Sequence, residues 1–418
     1  SWRSVIRSIA KNHQSQTAMN VRAILTNIVS FVTPQMHGTR RKAVIDCVHS
    51  LANGSTATVT SIGRGIRSNA FEKHNIKRAD RLLSNTHLLR EKTVIYGAIC
   101  RLFCTAKHPT ISIDWSDLDE AGRHFLLRAV LTFDGRPITL YQEVHPLSTK
   151  EKPAVHKLFL QMLSQLLPAE CKPVIVTDAG FKAPWFRQIE ALGWYFVGRV
   201  RKPNFYSTDN GTNWQCISRL FAKATLQPKQ YQAQIARYKP FACLLTLYKQ
   251  KSKGRHVRNT DGSMKRSKTS KTHARGNSEP WLLASNLPQN SHHSKQVVAI
   301  YRQRMQIEES FRDMKSTQYG LGFEQNSSTK LHRISLLLLL SNLASLVLIL
   351  LGVGVTITNQ QRRFQANSYR DRRVLSFHSL GLRAMARQVM FTTAQWRNTL
   401  RHCKHLLDTT SYNIERGG

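Results

Sequence analysis

The sequence predicts an α/β fold with a mixed sheet, flanked by helical regions and interrupted by a β-rich insertion. Three observations predict it. Between residues 106 and 199, three short β-branched runs follow one another and two more alternate with helical patterns. Apolar residues before and after this core recur at helical spacing. Short β-like runs return between residues 200 and 290, where the helical alternation stops.

Residues 19–105 are predicted to form a helical DNA-binding domain. Apolar spacing in VRAILTNIVSFV is typical of a helix, and the small polar run STATVTSIGRG precedes the basic segment KHNIKRADRLL. A turn followed by a basic helix is typical of a helix-turn-helix-like reader of DNA, although an ordinary solvated face is the alternative. The candidate DNA contacts are Lys73, Lys77, Arg78 and Arg81. Residues 1–18 have no apolar run of a signal peptide and no Met at the start, so we interpret them as a non-native or upstream extension before Met19.

Residues 106–199 are predicted to form the first part of the core. PTISID is a strand that ends at Asp114, HFLLRAVLTF is a second strand, and Asp134-Gly135 marks a hairpin before the third strand, RPITLYQEV. A helix over 152–167 precedes PVIVTD, a buried-type strand that ends at Asp178. The helix KAPWFRQIEALG stops at Gly193 and the strand WYFVGRV follows. This order, β-β-β-α-β-α-β, is that of a ribonuclease H-like core.

Three further regions complete the predicted organisation. Residues 200–290 form the β-rich insertion, with strands in YQAQIARY, ACLLTLYK and WLLAS and a basic loop from Lys249 to Arg275. Residues 291–330 return to the core with a helix from about 295 to 316. Residues 331–418 form a helical C-terminal region that we expect to mediate dimerisation.

One apolar segment, residues 334–358, could span a bilayer by its length, since 25 residues pass without a charge. Serines and an asparagine interrupt it, and Gly352 and Gly354 weaken its last turns. We therefore favour a buried core helix and expect no membrane partner.

The composition narrows the class of partner. The net charge is +38, from 62 Lys and Arg against 24 Asp and Glu. So many positive charges repel one another in a compact protein, and a bound polyanion relieves that repulsion. Nucleic acid is the favoured polyanion and an anionic membrane is the rival. The seven cysteines include no C-x-x-C pair, which gives no support to a zinc or redox site and fits a reducing cytosol.

Three carboxylates form the candidate chemical centre. If the strands that end at Asp114 and Asp178 are neighbours in the sheet, the two carboxylates lie side by side. Two like charges at that separation are unfavourable unless a cation lies between them. Carboxylate oxygens are hard donors, which suit Mg²⁺ or Mn²⁺. The helix YRQRMQIEESFRDMK can supply a third acid, Glu308. On a continuous helix Glu308 shares one stripe with Tyr301, Arg304, Arg312 and Lys315, whereas Glu309 and Asp313 point elsewhere. The alternative is a solvated face held by side-chain pairs such as Arg304 with Glu308.

The motif Y-x₂-R-x₃-E-x₆-K, formed by Tyr301, Arg304, Glu308 and Lys315, resembles the signature of bacterial DDE transposases of insertion-sequence family four. The segments SIDWSD and VTDAGFKAPWF resemble that family's two Asp motifs, and KHNIKRADRLL and EPWLLASNLP are also similar. The resemblance runs from about residue 51 to 380 and is strongest to the Tn-ten transposase group.

The resemblance implies a ribonuclease H-like core and cut-and-paste transposition. Asp114, Asp178 and Glu308 would hold two Mg²⁺ ions, for which Mn²⁺ can substitute, and the enzyme would nick DNA, form and resolve hairpins, and transfer 3′-OH ends to a target. The substrates would be double-stranded transposon inverted-repeat ends and target DNA, handled by a homodimer in a synaptic complex. The expected location is the bacterial cytoplasm, associated with the nucleoid when bound to DNA.

The resemblance also assigns the residues around the carboxylates. Tyr301, Arg304 and Lys315 would grip phosphates near the scissile bond, and Trp281 would stack on a flipped base during hairpin formation. Trp281 is alternatively a core residue of the apolar strand WLLAS. The alternative for the whole chain is a catalytically inactive or domesticated relative that only binds DNA.

Overall fold

The computed structural model describes residues 18–250, 279–369 and 372–412. The predicted extension over residues 1–18 therefore lies outside the described residues except for Ala18, and the predicted basic loop lies outside them except for Lys249 and Gln250. The described chain divides into two compact units, here called the first unit (residues up to 171 and from 305 to 412) and the second unit (residues 172 to 304). The predicted domain boundaries stay a prediction.

Helices and strands are numbered along the chain. The helices are α1 (Val21–Val32), α2 (Gly38–Ala52), α3 (Val59–Gly65), α4 (Glu72–Leu83), α5 (Thr86–Phe103), α6 (Pro153–Leu166), α7 (Ala183–Ala191), α8 (Ser218–Phe221), α9 (His293–Gln303), α10 (Met305–Lys315), α11 (Leu331–Ile357), α12 (Phe377–Ala386) and α13 (Thr393–Thr410). The strands are β1 (Ala18–Asn20), β2 (Thr110–Asp117), β3 (His124–Leu131), β4 (Ile138–Pro146), β5 (Val174–Thr177), β6 (Tyr195–Arg199), β7 (Phe205–Ser207), β8 (Gln215–Cys216), β9 (Lys229–Ile235), β10 (Phe241–Tyr248), β11 (Trp281–Ser285) and β12 (Met390–Thr392).

In the first unit, β4, β3 and β2 pair in that order as an antiparallel meander. The predicted hairpin turn is confirmed, because Gly135 has a φ of +78°, a value that suits glycine. The predicted end of the first strand is wrong. Strand β2 continues past Asp114 to Asp117, because Trp115, Ser116 and Asp117 all keep antiparallel partners on β3. Asp114 therefore lies within a strand and not in a strand-to-loop turn.

The apolar segment is helix α11, a core element of the first unit. Among the described residues it is the one helix long and apolar enough to cross a membrane, and 94% of its most apolar window is buried inside the protein. A buried helix needs no polar face, which explains the absence of amphipathic spacing. Helix α12 crosses it closely, since a Cβ on Gly352 would lie 2.0 Å from the carbonyl oxygen of Phe377 and one on Gly381 would lie 2.0 Å from that of Leu348.

In the second unit, the strand order is β5-β6-β11-β10-β9-β7-β8. Strands β5 and β6 are parallel and joined through α7, whereas β11, β10 and β9 continue the sheet with antiparallel pairs. The predicted β5–α7–β6 succession is confirmed, including the end at Gly193, whose φ is +68°. The three strands predicted in the insertion are confirmed as β9, β10 and β11. Together with the meander of the first unit, this mixed α/β arrangement is consistent with a ribonuclease H-like core.

The predicted continuous helix from about 295 to 316 is wrong in one respect. The chain forms two helices, α9 and α10, and Arg304 lies between them. The backbone N–H of Arg304 donates to the carbonyl oxygen of Tyr301 at 3.1 Å, three residues back, so the regular four-residue pattern is interrupted there. The predicted stripe of side chains is thus divided between two helices.

Candidate active site

In the first unit, Asp114 lies on β2 and is partly buried. Its Oδ1 accepts the backbone N–H of Trp115 at 2.8 Å. Side chains alternate along a strand, so Ser116 projects from the same face as Asp114. The Nζ of Lys315 donates to the Oγ of Ser116 at 2.8 Å, which brings this ammonium group to the Asp114 face of the strand.

Helix α10 carries both Glu308 and Lys315 and packs against β2. The two residues are seven positions apart, about two helical turns, and therefore lie on the same side of the helix. Glu308 is exposed, whereas Lys315 is half-buried. Burial lowers the pKa of Lys315, and the carboxylates of Asp117 and Glu324 oppose that shift. The first unit thus places Lys315 on the Asp114 face of β2 and on the same side of α10 as Glu308.

The other side of α10 is held by two arginines, the half-buried Arg136 and the buried Arg128. Arg136 forms ion pairs with Asp313 at 2.6 Å and with Glu309 at 3.2 Å. Arg128, on β3, donates to the Oγ of Ser310 at 3.2 Å, and burial lowers its pKa to about 10. Glu309 and Asp313 thus have structural partners away from Glu308, as the sequence spacing predicted.

In the second unit, the strand predicted to end at Asp178 ends one residue earlier, at Thr177, and Asp178 follows it directly. Its Oδ1 accepts the backbone N–H of Gly180 at 2.8 Å, an Asx-type turn that orients the carboxylate as the chain leaves the sheet. A Cβ at Gly180 would lie 3.1 Å from that oxygen, so the turn is tight at this point.

Tyr301 is buried at the end of α9 and is surrounded by cations and an indole. The Trp281 ring meets it edge-on at a centroid separation of 4.8 Å, and the Arg304 guanidinium lies 5.7 Å from its ring centre. Burial raises the pKa of the Tyr301 hydroxyl, Arg304 and Arg199 lower it, and the Asp178 carboxylate raises it further. Tyr301 is therefore within electrostatic reach of both Asp178 and Arg304.

Trp281 is the first residue of β11 and is partly exposed. It pairs with Tyr248 across the strands, with ring centroids 5.9 Å apart. The indole is thus neither a fully buried core residue nor a free surface residue. Arg302 donates to the Tyr248 hydroxyl at 2.6 Å and extends this aromatic and cationic group.

Sequence reasoning missed several members of these groups. Ser116 could have been found from strand alternation, because it lies two residues after Asp114. Arg199 could not, since its place beside Tyr301 depends on the pairing of β6 with β11. Glu279 begins the segment EPWLLASNLP, but its ion pairs with Arg201 at 2.7 Å and with Arg199 at 3.6 Å could not be predicted from that segment.

The predicted DNA contacts of the N-terminal region lie on α4. Lys73, Lys77 and Arg81 are exposed and four residues apart, so they form one stripe. Arg78 lies off that stripe and forms an ion pair with Asp46 at 2.5 Å. Their contact with DNA stays a prediction.

Within the described residues, no group of three or more His, Cys, Asp or Glu side chains is arranged to hold a metal ion. Whether the three candidate carboxylates suit a metal ion is therefore judged from the chemical type of their ligand atoms. Asp114, Asp178 and Glu308 offer carboxylate oxygens, the donors that Mg²⁺ and Mn²⁺ prefer.

Comparison with known families gives one match. Residues 105–347 match the family described as Transposase DDE domain. A search of curated proteins finds no match. The matched segment covers more than half of the 418 residues and contains all three candidate carboxylates together with Tyr301, Arg304 and Lys315. The chain therefore belongs to the DDE transposase family.

Proposed function

We propose that this transposase moves an insertion sequence by a cut-and-paste reaction, as a member of insertion-sequence family four close to the Tn-ten group. The observation that carries the proposal is the spacing of Tyr301, Arg304, Glu308 and Lys315, which fits the signature of insertion-sequence family four at every position and lies inside the matched domain. The basic charge of the chain supports DNA as the substrate.

Asp114, Asp178 and Glu308 are proposed to be the catalytic carboxylates and the ligands of two Mg²⁺ ions, with Mn²⁺ as a substitute. Bound in this way, the ions would polarise the attacking and leaving oxygens of a phosphodiester. Lys315 is held on the Asp114 face of β2 by its hydrogen bond to Ser116, which suits it to neutralise a phosphate beside the reacting bond.

The residues of the second unit are proposed to position the DNA strand. Arg304 would bind a phosphate. The buried Tyr301 contacts both Trp281 and Arg304, so it would fix the orientation of these two side chains as well as contact the DNA backbone. The partly exposed indole of Trp281 offers a face on which a flipped base can stack, which offsets the base stacking lost in the duplex.

The proposed reaction is a series of phosphoryl transfers. Hydrolysis of one phosphodiester frees a 3′-hydroxyl, which attacks the opposite strand, closes a hairpin on the transposon end and releases the flanking DNA. Hydrolysis opens the hairpin, and the 3′-hydroxyl then attacks a target phosphodiester. A homodimer would join both transposon ends, and we propose that the region 331–418 mediates dimerisation. The reaction would take place in the bacterial cytoplasm, where the DNA-bound enzyme is associated with the nucleoid.

The first test compares Asp114→Asn with the unaltered protein on DNA that carries the element's own inverted repeats, identified by sequencing the flanks of the gene. We expect Mg²⁺-dependent cleavage to fall at least 10³-fold (roughly, by analogy with the loss of a catalytic group) while binding of the same DNA is retained. Asp134→Asn, in the hairpin between β3 and β4, is the matched control and should cleave normally. Cleavage that persists in Asp114→Asn would falsify the carboxylate assignment.

The second test separates the two neighbouring glutamates on α10. Glu308→Gln should abolish cleavage, whereas Glu309→Gln should have a mild effect because Glu309 faces Arg136 and Arg312. Equal effects would mean that the assignment of the catalytic side of the helix is wrong. If the unaltered protein binds the ends and never cleaves them, the alternative of an inactive DNA-binding relative is correct.

A further inference from the structure

An open cleft in the C-terminal part of the first unit is lined by arginines. Its cavity of about 590 Å³ is bordered by Arg363, Arg383 and Arg387, with Phe364 and Gln365 between them. The cleft, here called the arginine cleft, lies between the short 3-10 helix over 360–364 and the end of α12. All three arginines are exposed.

The arginines of the cleft differ from other arginines of the first unit in their ion pairs with carboxylates. Acid is scarce, yet Arg40 pairs with Glu91, Arg333 with Asp80 and Arg373 with Asp134. Within the part of the chain that the structure describes, the three arginines of the cleft form no ion pair with a carboxylate. Residues 360–412 carry ten Lys and Arg against two Asp, so the surroundings do not neutralise the cleft.

A local explanation accounts for two of the three. Arg383 lies in the last turn of α12 and Arg387 is the C-cap residue of that helix, so both lie where a cation is stabilised by the helix dipole. Arg363 lies in the short 3-10 helix Gln360–Phe364 and gains nothing from α12. Three guanidinium groups that converge on one open cleft instead suit an extended anion, because each can donate two parallel hydrogen bonds to phosphate oxygens.

We propose that the arginine cleft binds the sugar-phosphate backbone of duplex DNA without reading its sequence. The half-buried Phe364 supplies an apolar surface against which deoxyribose can pack. The Nε2 of Gln365 donates to the carbonyl oxygens of Tyr369 at 2.6 Å and Arg372 at 3.0 Å, which holds this border of the cleft in place. The inference rests on the proposed function, since an enzyme that joins transposon ends to a target must hold duplex beyond the reacting phosphates. It assigns a separate sequence-independent contact to the region 331–418.

The test measures the salt dependence of binding to a 30-base-pair duplex of random sequence by fluorescence anisotropy. Each phosphate contact contributes about 0.9 to the slope of log K against log salt concentration, so a variant with all three cleft arginines changed to Gln should lose about 2.7 from that slope. The control changes Arg90, Arg101 and Lys107 to Gln, three exposed cations of the same unit away from the cleft, and should lose much less. A third variant, with the cleft arginines changed to Lys, should keep most of the slope, because it keeps the charge.

An unchanged slope in the cleft variant, or equal losses in the cleft and control variants, overturns the inference. A change in oligomeric state by light scattering with an unaltered slope also overturns it and identifies a second copy of this chain as the occupant. If the triple Gln variant fails to fold, the three single Arg→Gln variants are measured instead, and each should lose about 0.9 from the slope; folded single variants with unchanged slopes overturn the inference. Cleavage of transposon-end DNA is assayed in parallel: cleavage with an unchanged slope leaves the proposed function standing, whereas absence of duplex binding by the unaltered protein overturns both.

Discussion

Replacing Arg136 by Met should destabilise the first unit strongly. Arg136 is the ion-pair partner of Asp313 at 2.6 Å and of Glu309 at 3.2 Å, and the Asp313 side chain is only 8% exposed. Met has a similar length and no charge, so the substitution leaves a buried carboxylate without its counterion. Removing one partner of a buried pair costs about 3–5 kcal/mol, because the remaining charge is still desolvated. That is a large part of the roughly 5–15 kcal/mol by which a typical domain is stable.

The same helix offers a matched control. Arg312 pairs with Glu309 at 2.5 Å, but the two side chains are 54% and 33% exposed, so Arg312→Met should cost only about 0–1 kcal/mol. The double variant Arg136→Met with Asp313→Leu should recover much of the loss, since it leaves no unpaired charge behind. Urea-induced unfolding measures the free energy of each variant.

Two results would refute this reasoning. A loss below about 1 kcal/mol for Arg136→Met would place Asp313 in contact with water and not in a low-dielectric interior. A double variant as unstable as the single one would show that Arg136 acts by packing its side chain and not by its charge. Because Arg136 holds the helix that carries Glu308, we also expect Arg136→Met to lower cleavage at temperatures where the protein is still folded.

Three further predictions concern stability and charge. Burial lowers the pKa of His156 to about 4, whereas in the unfolded chain the imidazole titrates near its ordinary pKa of 6.5. As the pH is lowered from 6.5 to 4, the unfolded chain therefore binds a proton that the folded protein does not bind. The free energy of unfolding should fall over this range by up to about 1.4 kcal/mol per pH unit. His156→Gln should flatten that dependence in urea titrations at pH 7 and 5, and an unchanged slope would assign it to other groups. Gly352→Ala should lower the free energy of unfolding by about 1–3 kcal/mol or more, because the added Cβ would lie 2.0 Å from the carbonyl oxygen of Phe377. Gly38→Ala is the control and should be harmless, because its Cβ would have no atom within 4 Å. Similar losses for the two variants in unfolding experiments would contradict the close crossing of the helices. Lys315→Gln should reduce the rate of cleavage more than the affinity for DNA, and Lys315→Arg should restore part of it; a loss of affinity alone would make Lys315 a binding residue only.

Part of the site could be predicted from local pattern alone. Strand-forming runs predicted a strand end at Asp178, one residue beyond the observed end at Thr177, and the helical spacing of Glu308 and Lys315 put both on one side of α10. The same spacing separated Glu308 from Glu309, which the ion pairs with Arg136 and Arg312 support. Such features depend on residues close in the chain, where periodicity of 2.0 or 3.6 decides the direction of a side chain.

Other features depended on contacts between distant segments. Strand β2 continues past Asp114 because β3 offers it partners, and the break at Arg304 interrupts a stripe that looked continuous. Gly352 and Gly354 were interpreted as weak points of an apolar helix, yet Gly352 is the site of a close helix crossing. No local pattern carries this information, since backbone approach depends on which helix packs against it.

The amino-acid sequence alone predicted the order of strands and helices between residues 106 and 199, the basic character, the buried apolar helix and the spacing of the four signature residues. Three contacts became known from the folded chain: Arg136 neutralises Asp313 across 177 positions of the chain, Trp281 meets the edge of Tyr301, and Lys315 reaches Ser116. Each of these pairs lies on separate elements, and packing of those elements sets the distance between their side chains. Periodicity orients a side chain on its own helix or strand, but it does not specify the neighbour that the side chain meets.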